Sequence, residues 1–382
     1  MTSKSVSSHW YSNLYTIPII LTLIGLYFVF ESSSIRTIQE LGDPFFYVKR
    51  QAVWFVLGII AMFLLSKFDH KKIVYFAMPS IILSIIFLIA VLIPGIGTKV
   101  NGARRWIDLG FTNFQPSELV KSSVIIYLAA WFQHREKQRI YAFAILLLFL
   151  VALIMAQPDM GTAMIIGMIS VGMYFLAGVD LKQLLLMIPA FVLLAVLTAQ
   201  SAAYRLQRLM SLFDINHDPQ GIGYHVRQII IAFQNGGFLG VGFGASRQRY
   251  LYLPEAHTDS IFAIFVEELG FVGAFAFVAL SAVFLYYLYR MVIQARNRYG
   301  FMLGSGIFLY FGLQSLVNLA SMTRLIPLTG VPLPFMSYGG THLFISFCLV
   351  GIAINIASSK VMDDERELYS IQKLVRGPRI RK

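Results

Sequence analysis

Apolar runs long enough to cross a bilayer recur along nearly the whole sequence, and no other feature limits its folding as strongly. Each is roughly 17 to 25 residues, the length a helix needs to span about 30 Å of hydrocarbon. Within a bilayer every backbone N–H and C=O has to find a partner inside the protein, so runs of this kind fold as helices. Composition agrees, with 57% of residues hydrophobic and only 13% charged and a mean hydropathy of +0.70, whereas soluble domains are about a quarter charged. A water-soluble globule could not hide that much apolar surface.

The runs place ten transmembrane helices near residues 14–30, 51–66, 73–94, 117–132, 140–156, 161–178, 183–200, 260–289, 301–322 and 341–357. The expected fold is therefore an all-α integral membrane protein with a large extracytoplasmic loop between helices 7 and 8. Residues 1–13 form the N-terminus, 14–358 the membrane domain with its outer loop at 201–258, and 359–382 a basic tail. The first run is followed by the polar stretch Glu31 to Ser34 and has no small-x-small cleavage site, so it reads as a retained span. The eighth run is too long for one untilted crossing, which predicts that its first turns lie at the interface.

Ten spans put both termini on one side, and the basic residues say which. With the termini inside, 18 of the 31 Lys and Arg fall on inner segments and 12 on outer ones, with Lys121 inside a span. This bias favours a cytoplasmic tail. Eight of the outer charges sit in two segments only, Ile96 to Pro116 and Ser201 to Thr258. Long loops translocate largely regardless of charge, which covers the second segment better than the short first one.

The net charge of +12 is split among loops and tail instead of forming one stripe, which argues against nucleic acid as a partner. There is no Gly-x-x-x-x-Gly-Lys-Ser/Thr loop for a nucleotide and no His or Cys cluster with metal-site spacing, and the single cysteine, Cys348, can form no internal disulfide.

Charges inside spans are costly and mark a bundle interior or a watery cavity. Span 4 opens Gln115-Pro116-Ser117-Glu118 and continues to Lys121, so Glu118 and Lys121 stand three apart and can pair. Such a pair serves either chemistry or helix insertion. Gln157-Pro158-Asp159-Met160-Gly161 forms an outer hairpin in which Asp159 fits a helix cap. The outer loop carries Arg205 and Arg208, an amphipathic stretch Gly223 to Asn235 suited to an interfacial helix, and the glycine run Gly236 to Gly244, which permits close backbone approach. It ends Leu253-Pro254-Glu255-Ala256-His257-Thr258-Asp259 directly before span 8, where Asp259 reads equally as a helix cap or as a catalyst.

These segments, with Asn101-Gly102-Ala103-Arg104-Arg105-Trp106-Ile107 and Gly330-Val331-Pro332-Leu333-Pro334-Phe335 followed by Ser337-Tyr338-Gly339-Gly340, resemble the motifs of the SEDS (shape, elongation, division and sporulation) family. Members of that family polymerise the glycan of bacterial peptidoglycan. The Pro254 to Asp259 form is closer to the FtsW-like division branch than to the elongation branch. Ser260 stands where the family usually has Phe, and Val266 where Gly is common.

The resemblance implies an enzyme of the bacterial cytoplasmic (inner) membrane, with both termini cytoplasmic. Its substrate would be lipid II, a disaccharide-pentapeptide on undecaprenyl diphosphate, taken from the outer leaflet. Its partners would be a class B penicillin-binding transpeptidase and other membrane proteins of the division machinery. Asp259 would be the general base, which typically contributes about 10²- to 10⁴-fold. Arg104, Arg105, Arg205 and Arg208 would contact the diphosphate or peptide stem, with Lys121 deeper in the bundle. Glu118 and Asp159 would orient Lys121 or shape the cavity, and His257 and Ser337 would line it. A divalent cation, Mg or Mn, is a candidate for stabilising the leaving diphosphate. A lipid II flippase and a non-enzymatic division scaffold are the alternative readings.

Overall fold

The computed structural model describes residues 10–100, 102–110, 112–133, 139–179, 203–214 and 218–375. In chain order they form α1 (Asn13–Leu41), α2 (Phe46–Lys67), a 3-10 turn (His70–Phe76) running into α3 (Ala77–Ala90), and strands β1 (Gly97–Val100), β2 (Ala103–Asp108) and β3 (Asn113–Phe114). Then follow α4 (Pro116–Trp131), α5 (Ile140–Met155), α6 (Met160–Leu176), α7 (Ala203–Phe213), α8 (Ile222–Gly236), α9 (Ile261–Ile293), α10 (Arg298–Met322) and α11 (Gly340–Val375). Every expected crossing except the seventh coincides with one of these helices. The seventh, residues 183–200, lies outside the described residues.

The chain is a multi-pass membrane protein, and burial shows which helices meet lipid. The apolar part of α11 is 83% buried, against 17% for α2 and α9. Hence α11 is central, packed most extensively on α2. The outer faces carry exposed apolar side chains such as Val53, Ile60 and Leu64 on α2 and Phe271 and Phe275 on α9. In a bilayer these face acyl chains, so their exposure is no defect.

Three features differ from the sequence reading, each for a physical reason. First, α1 does not stop at the polar stretch Glu31 to Ser34. The hydroxyls of Ser32, Ser33 and Thr37 donate to the carbonyls of Phe28, Val29 and Ser33 one turn back, at 2.6, 2.6 and 3.1 Å, and Glu31 pairs with Arg249. Polar side chains satisfied in this way let the helix continue while buried.

Second, the short basic segment after α3 is more than a loop. It folds into a three-stranded antiparallel sheet in the order β1-β2-β3. The chain reverses between the first two strands at Gly102, with φ 79°. Third, the eighth span is not one helix. At Gly270 the backbone adopts φ 67° and ψ −166°, which breaks α9.

The groups released by the break are satisfied by the glycine run. The amides of Val241 and Gly242 donate to the carbonyls of Glu267 and Glu268, both at 3.0 Å, and the amides of Phe271 and Val272 donate to the carbonyls of Gly237 and Phe238 at 3.0 and 3.2 Å. A Cβ on Gly240 or Gly270 would collide with the opposing backbone. The length of the eighth run predicts that the first turns of α9 lie at the interface. They are enclosed by protein, with residues Ile261 to Val266 each 8% exposed or less. Part of that cover is α8, the expected amphipathic helix, which turns Val226 and Ile229 inward.

Candidate active site

Two polar centres meet along α10. The first is Asp259, at the end of an irregular turn just before α9. In that turn the Glu255 carbonyl accepts from the amides of Thr258 and Ser260, at 3.1 and 3.3 Å. The Thr258 hydroxyl lies 3.2 Å from Asp259 Oδ1 and 3.0 Å from Glu255 Oε2. On the other side, Asn318 of α10 donates through Nδ2 to the carbonyls of Asp259 and Val331, at 2.9 and 2.8 Å. This bridge fixes the Asp259 backbone against the loop before α11. There Gly330 faces the carboxylate, and a Cβ at that position would stand 3.7 Å from Oδ2.

Burial raises the proton affinity of Asp259 to a pKa of about 6, helped by the neighbouring Glu255 carboxylate and opposed by the Arg208 charge and the Thr258 hydroxyl. A carboxylate with that affinity is ionised at neutral pH yet basic enough to accept a proton in a transition state. The two flanking histidines are neutral. Burial holds His257 and His225 each down at about 4.

The second centre is sealed inside the bundle. Lys121 Nζ lies 2.8 Å from Glu118 Oε1 and 2.9 Å from Gln314 Oε1, and the other Glu118 oxygen is 3.0 Å from His342 Nδ1. Lys121 and Glu118 are 1% and 2% exposed, so desolvation is balanced only by these partners. Tyr310 and Ser346 extend the network at 3.3 Å. Gln314 and Asn318 are four residues apart on α10. The two centres are thus tied to residues on one face of α10 whose backbone positions are about 6 Å apart along the helix axis.

The other candidates fall into groups. Asp159 caps α6, accepting from the Thr162 amide at 3.1 Å and the Thr162 hydroxyl at 2.9 Å. Arg105 is committed to the α5–α6 hairpin, donating to the carbonyls of Gln157 and Pro158. Arg104, on the same strand, makes no hydrogen bond or ion pair among the described residues. Arg208, partly buried, reaches the carbonyls of Leu328 and Thr329 at 3.3 and 3.4 Å, next to the Asp259 centre. Arg205 lies on the same helix, α7, and its side chain is outside the described set.

His257 stacks on Tyr47 with centroids 4.5 Å apart, and its carbonyl accepts from the Tyr338 amide at 2.9 Å. Ser337 is 1% exposed, and its hydroxyl accepts from the Leu333 amide at 2.8 Å. Gln51 of α2 spans the same loop, donating to the Ser337 carbonyl and accepting from the Gly339 amide, at 3.2 and 3.1 Å. Both residues therefore hold the loop that carries Gly330. Ser260 hydrogen-bonds His225 Nε2 at 2.6 Å, so the polar residue in place of the family's Phe has a polar partner.

Sequence reasoning missed Gln314, Asn318, His342 and Glu255. The first three are buried polar residues in or beside apolar spans, the same signal that singled out Lys121, but without a formal charge to draw attention. Asn318 Oδ1, His342 Nε2 and Thr329 Oγ1 are buried without a hydrogen-bond partner. Unpaired buried polar atoms near a carboxylate are what a polyhydroxyl substrate can satisfy. For the candidate divalent cation the fit is poor, because among the described residues no group of three or more His, Cys, Asp or Glu is arranged to hold a metal.

Comparison with known proteins identifies the family. The chain is 36% identical over 348 residues to a protein of Trichlorobacter lovleyi named "probable peptidoglycan glycosyltransferase FtsW", covering 88% of this chain and 90% of that one. It is 35% identical to the stage V sporulation protein E of Bacillus subtilis, covering 94% and 99%. Among solved structures, a chain from a peptidoglycan synthase complex that coordinates polymerization and crosslinking matches with TM-score 0.75 at 27% identity, over 93% of this chain and 99% of that one. The rod shape determining protein RodA of Thermus thermophilus matches with TM-score 0.67 at 25% identity, over 94% and 99%. The family model described as the FtsW/RodA/SpoVE cell cycle protein matches residues 11–361, and the chain belongs to that family.

Proposed function

We propose that this chain is a peptidoglycan glycosyltransferase of the division type, which polymerises lipid II on the outer face of the bacterial cytoplasmic membrane with both termini cytoplasmic. The observation that carries this reading is Asp259. It is a partly exposed carboxylate with no cation bonded to it among the described residues, given a proton affinity near 6, and fixed through its backbone to Asn318, four residues along α10 from the Gln314 that holds a buried lysine. In the transfer, the 4-hydroxyl of the acceptor sugar attacks the anomeric carbon of the donor. The new C–O bond forms as the bond to the lipid diphosphate breaks. Asp259 takes the hydroxyl proton, and the diphosphate departs with the electron pair.

Arg104 and Arg208 supply positive charge toward the phosphates, and Arg205 lies on the same helix as Arg208. The Glu118–Lys121–Gln314 knot keeps α4 and α10 in register beneath the site. The chain works beside a class B penicillin-binding transpeptidase, which crosslinks the strands it makes. Purified protein given labelled lipid II, alone and with that partner, tests the reading. Glycan chains that form with the wild type and are lost with Asp259→Asn support it. Chains formed equally by a folded Asp259→Asn protein would refute it.

A further inference from the structure

We propose that Thr258 and Glu255 form the path by which Asp259 returns its proton to solvent after each transfer. The inference rests on Asp259 being the base. A base that accepts one proton per sugar added has to lose one per cycle, and it sits only partly exposed under a bound polymer. The Thr258 hydroxyl oxygen stands between two carboxylates, 3.2 Å from Asp259 Oδ1 and 3.0 Å from Glu255 Oε2, with the Glu255 carbonyl at 3.1 Å as a further acceptor for its single hydrogen. Glu255 is exposed to solvent, whereas Asp259 is not fully so. The order along this path is thus partly buried carboxylate, partly buried hydroxyl, exposed carboxylate.

The backbone shows that the arrangement is built. Glu255 has φ 49°, in the left-handed region that a side-chain-bearing residue enters at a cost. That conformation closes the turn in which the Glu255 carbonyl holds the Thr258 and Ser260 amides, and it brings residue 255 back beside residue 259. The two oxygens of Asp259 then have separate surroundings. Oδ1 meets Thr258, while Oδ2 looks toward Gly330, where the missing side chain leaves room for an acceptor hydroxyl.

The step balances without any further reactant. Once Asp259 is protonated, rotation about its two-fold terminal torsion exchanges the oxygens and presents O–H to Thr258. The proton passes to the Thr258 oxygen as the Thr258 hydrogen passes to Glu255. Asp259 is left as carboxylate, Thr258 is unchanged, and Glu255, now neutral, ionises to water. Charged and titratable groups that act on the pair from neighbouring elements are Arg208 of α7, His225 of α8, Arg36 of α1, Tyr47 of α2 and His257 of the turn itself, and Glu40 of α1 acts in turn on Arg36, Tyr47 and His257.

The test uses the full-length protein and labelled lipid II. Thr258→Val removes the hydroxyl at nearly constant volume and should lower turnover at saturating substrate by about ten- to a hundredfold with KM unchanged, while Thr258→Ser stays within about threefold of wild type. Formate added at constant ionic strength should restore the Val variant, because a small acid replaces the missing shuttle. Glu255→Gln, at an exposed position and with its thermal unfolding measured alongside, should show the same turnover loss and the same rescue. Wild-type turnover by Thr258→Val or by Glu255→Gln at every buffer concentration would overturn the relay. So would a loss in Thr258→Val that neither Ser nor formate repairs, which marks a structural role. Asp259→Asn is run alongside, and if it retains activity the failure belongs to the assignment of the base and not to the relay.

Discussion

Asp259 and Glu118 are carboxylates tied to the same helix, α10, in different ways: Asp259 by its backbone carbonyl to Asn318, Glu118 through Lys121 to Gln314. Glu118 is 2% exposed and has both oxygens occupied, one by Lys121 and the other by His342. A proton reaching it would have to displace a bonded cation. Asp259 is partly exposed, receives no cation at hydrogen-bond distance among the described residues, and is held through its backbone so that its carboxylate stays available. The difference shows two ways for a bundle to hold an acid. Glu118 is paired through its side chain, and Asp259, the base in the proposed function, is positioned through its main chain.

The comparison breaks most visibly if the two acids are neutralised in turn. Asp259→Asn should reduce polymerisation by about 10²- to 10⁴-fold, the usual contribution of a general base, with membrane insertion intact. It should also stabilise the protein. The folded state raises the Asp259 proton affinity above the ordinary carboxyl value, so ionisation opposes folding at pH above about 6. The variant's gain in melting temperature should be full at neutral pH, shrink as pH falls below about 6, and vanish only below the ordinary value of 3.8, where both states hold the proton. A melting temperature that falls at neutral pH would contradict the strain assigned to this carboxylate. By the same titration, wild-type turnover should decline as pH drops through about 6.

Glu118 should respond in the opposite sense. Lys121→Met leaves Glu118 buried beside His342 without its ammonium partner and should cost about 3–5 kcal/mol. The double variant Glu118→Gln with Lys121→Met should recover much of that loss, since neutral groups replace both charges. Thermal unfolding in detergent for the four proteins of the cycle measures the coupling, and additive losses would show that the pair is not one unit.

How far each centre is legible in the sequence follows from the same contrast. Lys121 and Glu118 stand out as charges in an apolar run, and their spacing of three is enough to give the pairing. Asp259 is ambiguous there, because an acid ahead of a helix reads equally as a cap. The fold gives the α9 N-cap position to Ser260, which takes support from the cap reading, while the catalytic reading rests on the proposed function. Asp159, with equally ordinary surroundings, does cap its helix. Gln314 and Asn318 connect the centres only through tertiary contacts with residues 193 and 59 positions away. No local pattern encodes that. The break in α9 is partly legible from its length, but its position depends on the glycine run lying against Gly270, a contact that spacing alone does not reveal.

The smallest expected effects separate the two arginines of β2, which the sequence treats as equals. Arg105 donates to the carbonyls of Gln157 and Pro158 and so ties the small sheet to the α5–α6 hairpin. Arg104, partly exposed, has no such tie among the described residues and is free to meet a phosphate. Arg105→Ala should therefore cost about 1–3 kcal/mol of stability, the range for hydrogen bonds from a charged donor. Any change in apparent lipid II affinity would follow from that loss. Arg104→Ala should leave the melting temperature unchanged and raise KM for lipid II, with a weaker salt dependence because one screened charge contact is gone. Lysine at 104 keeps the charge and should restore most of the affinity, whereas lysine at 105 lacks the planar fork that reaches two carbonyls and should not restore stability. If both alanine variants keep wild-type KM and wild-type melting temperature, neither the substrate contact at Arg104 nor the tie at Arg105 survives, and the basic hairpin is only a solvated edge.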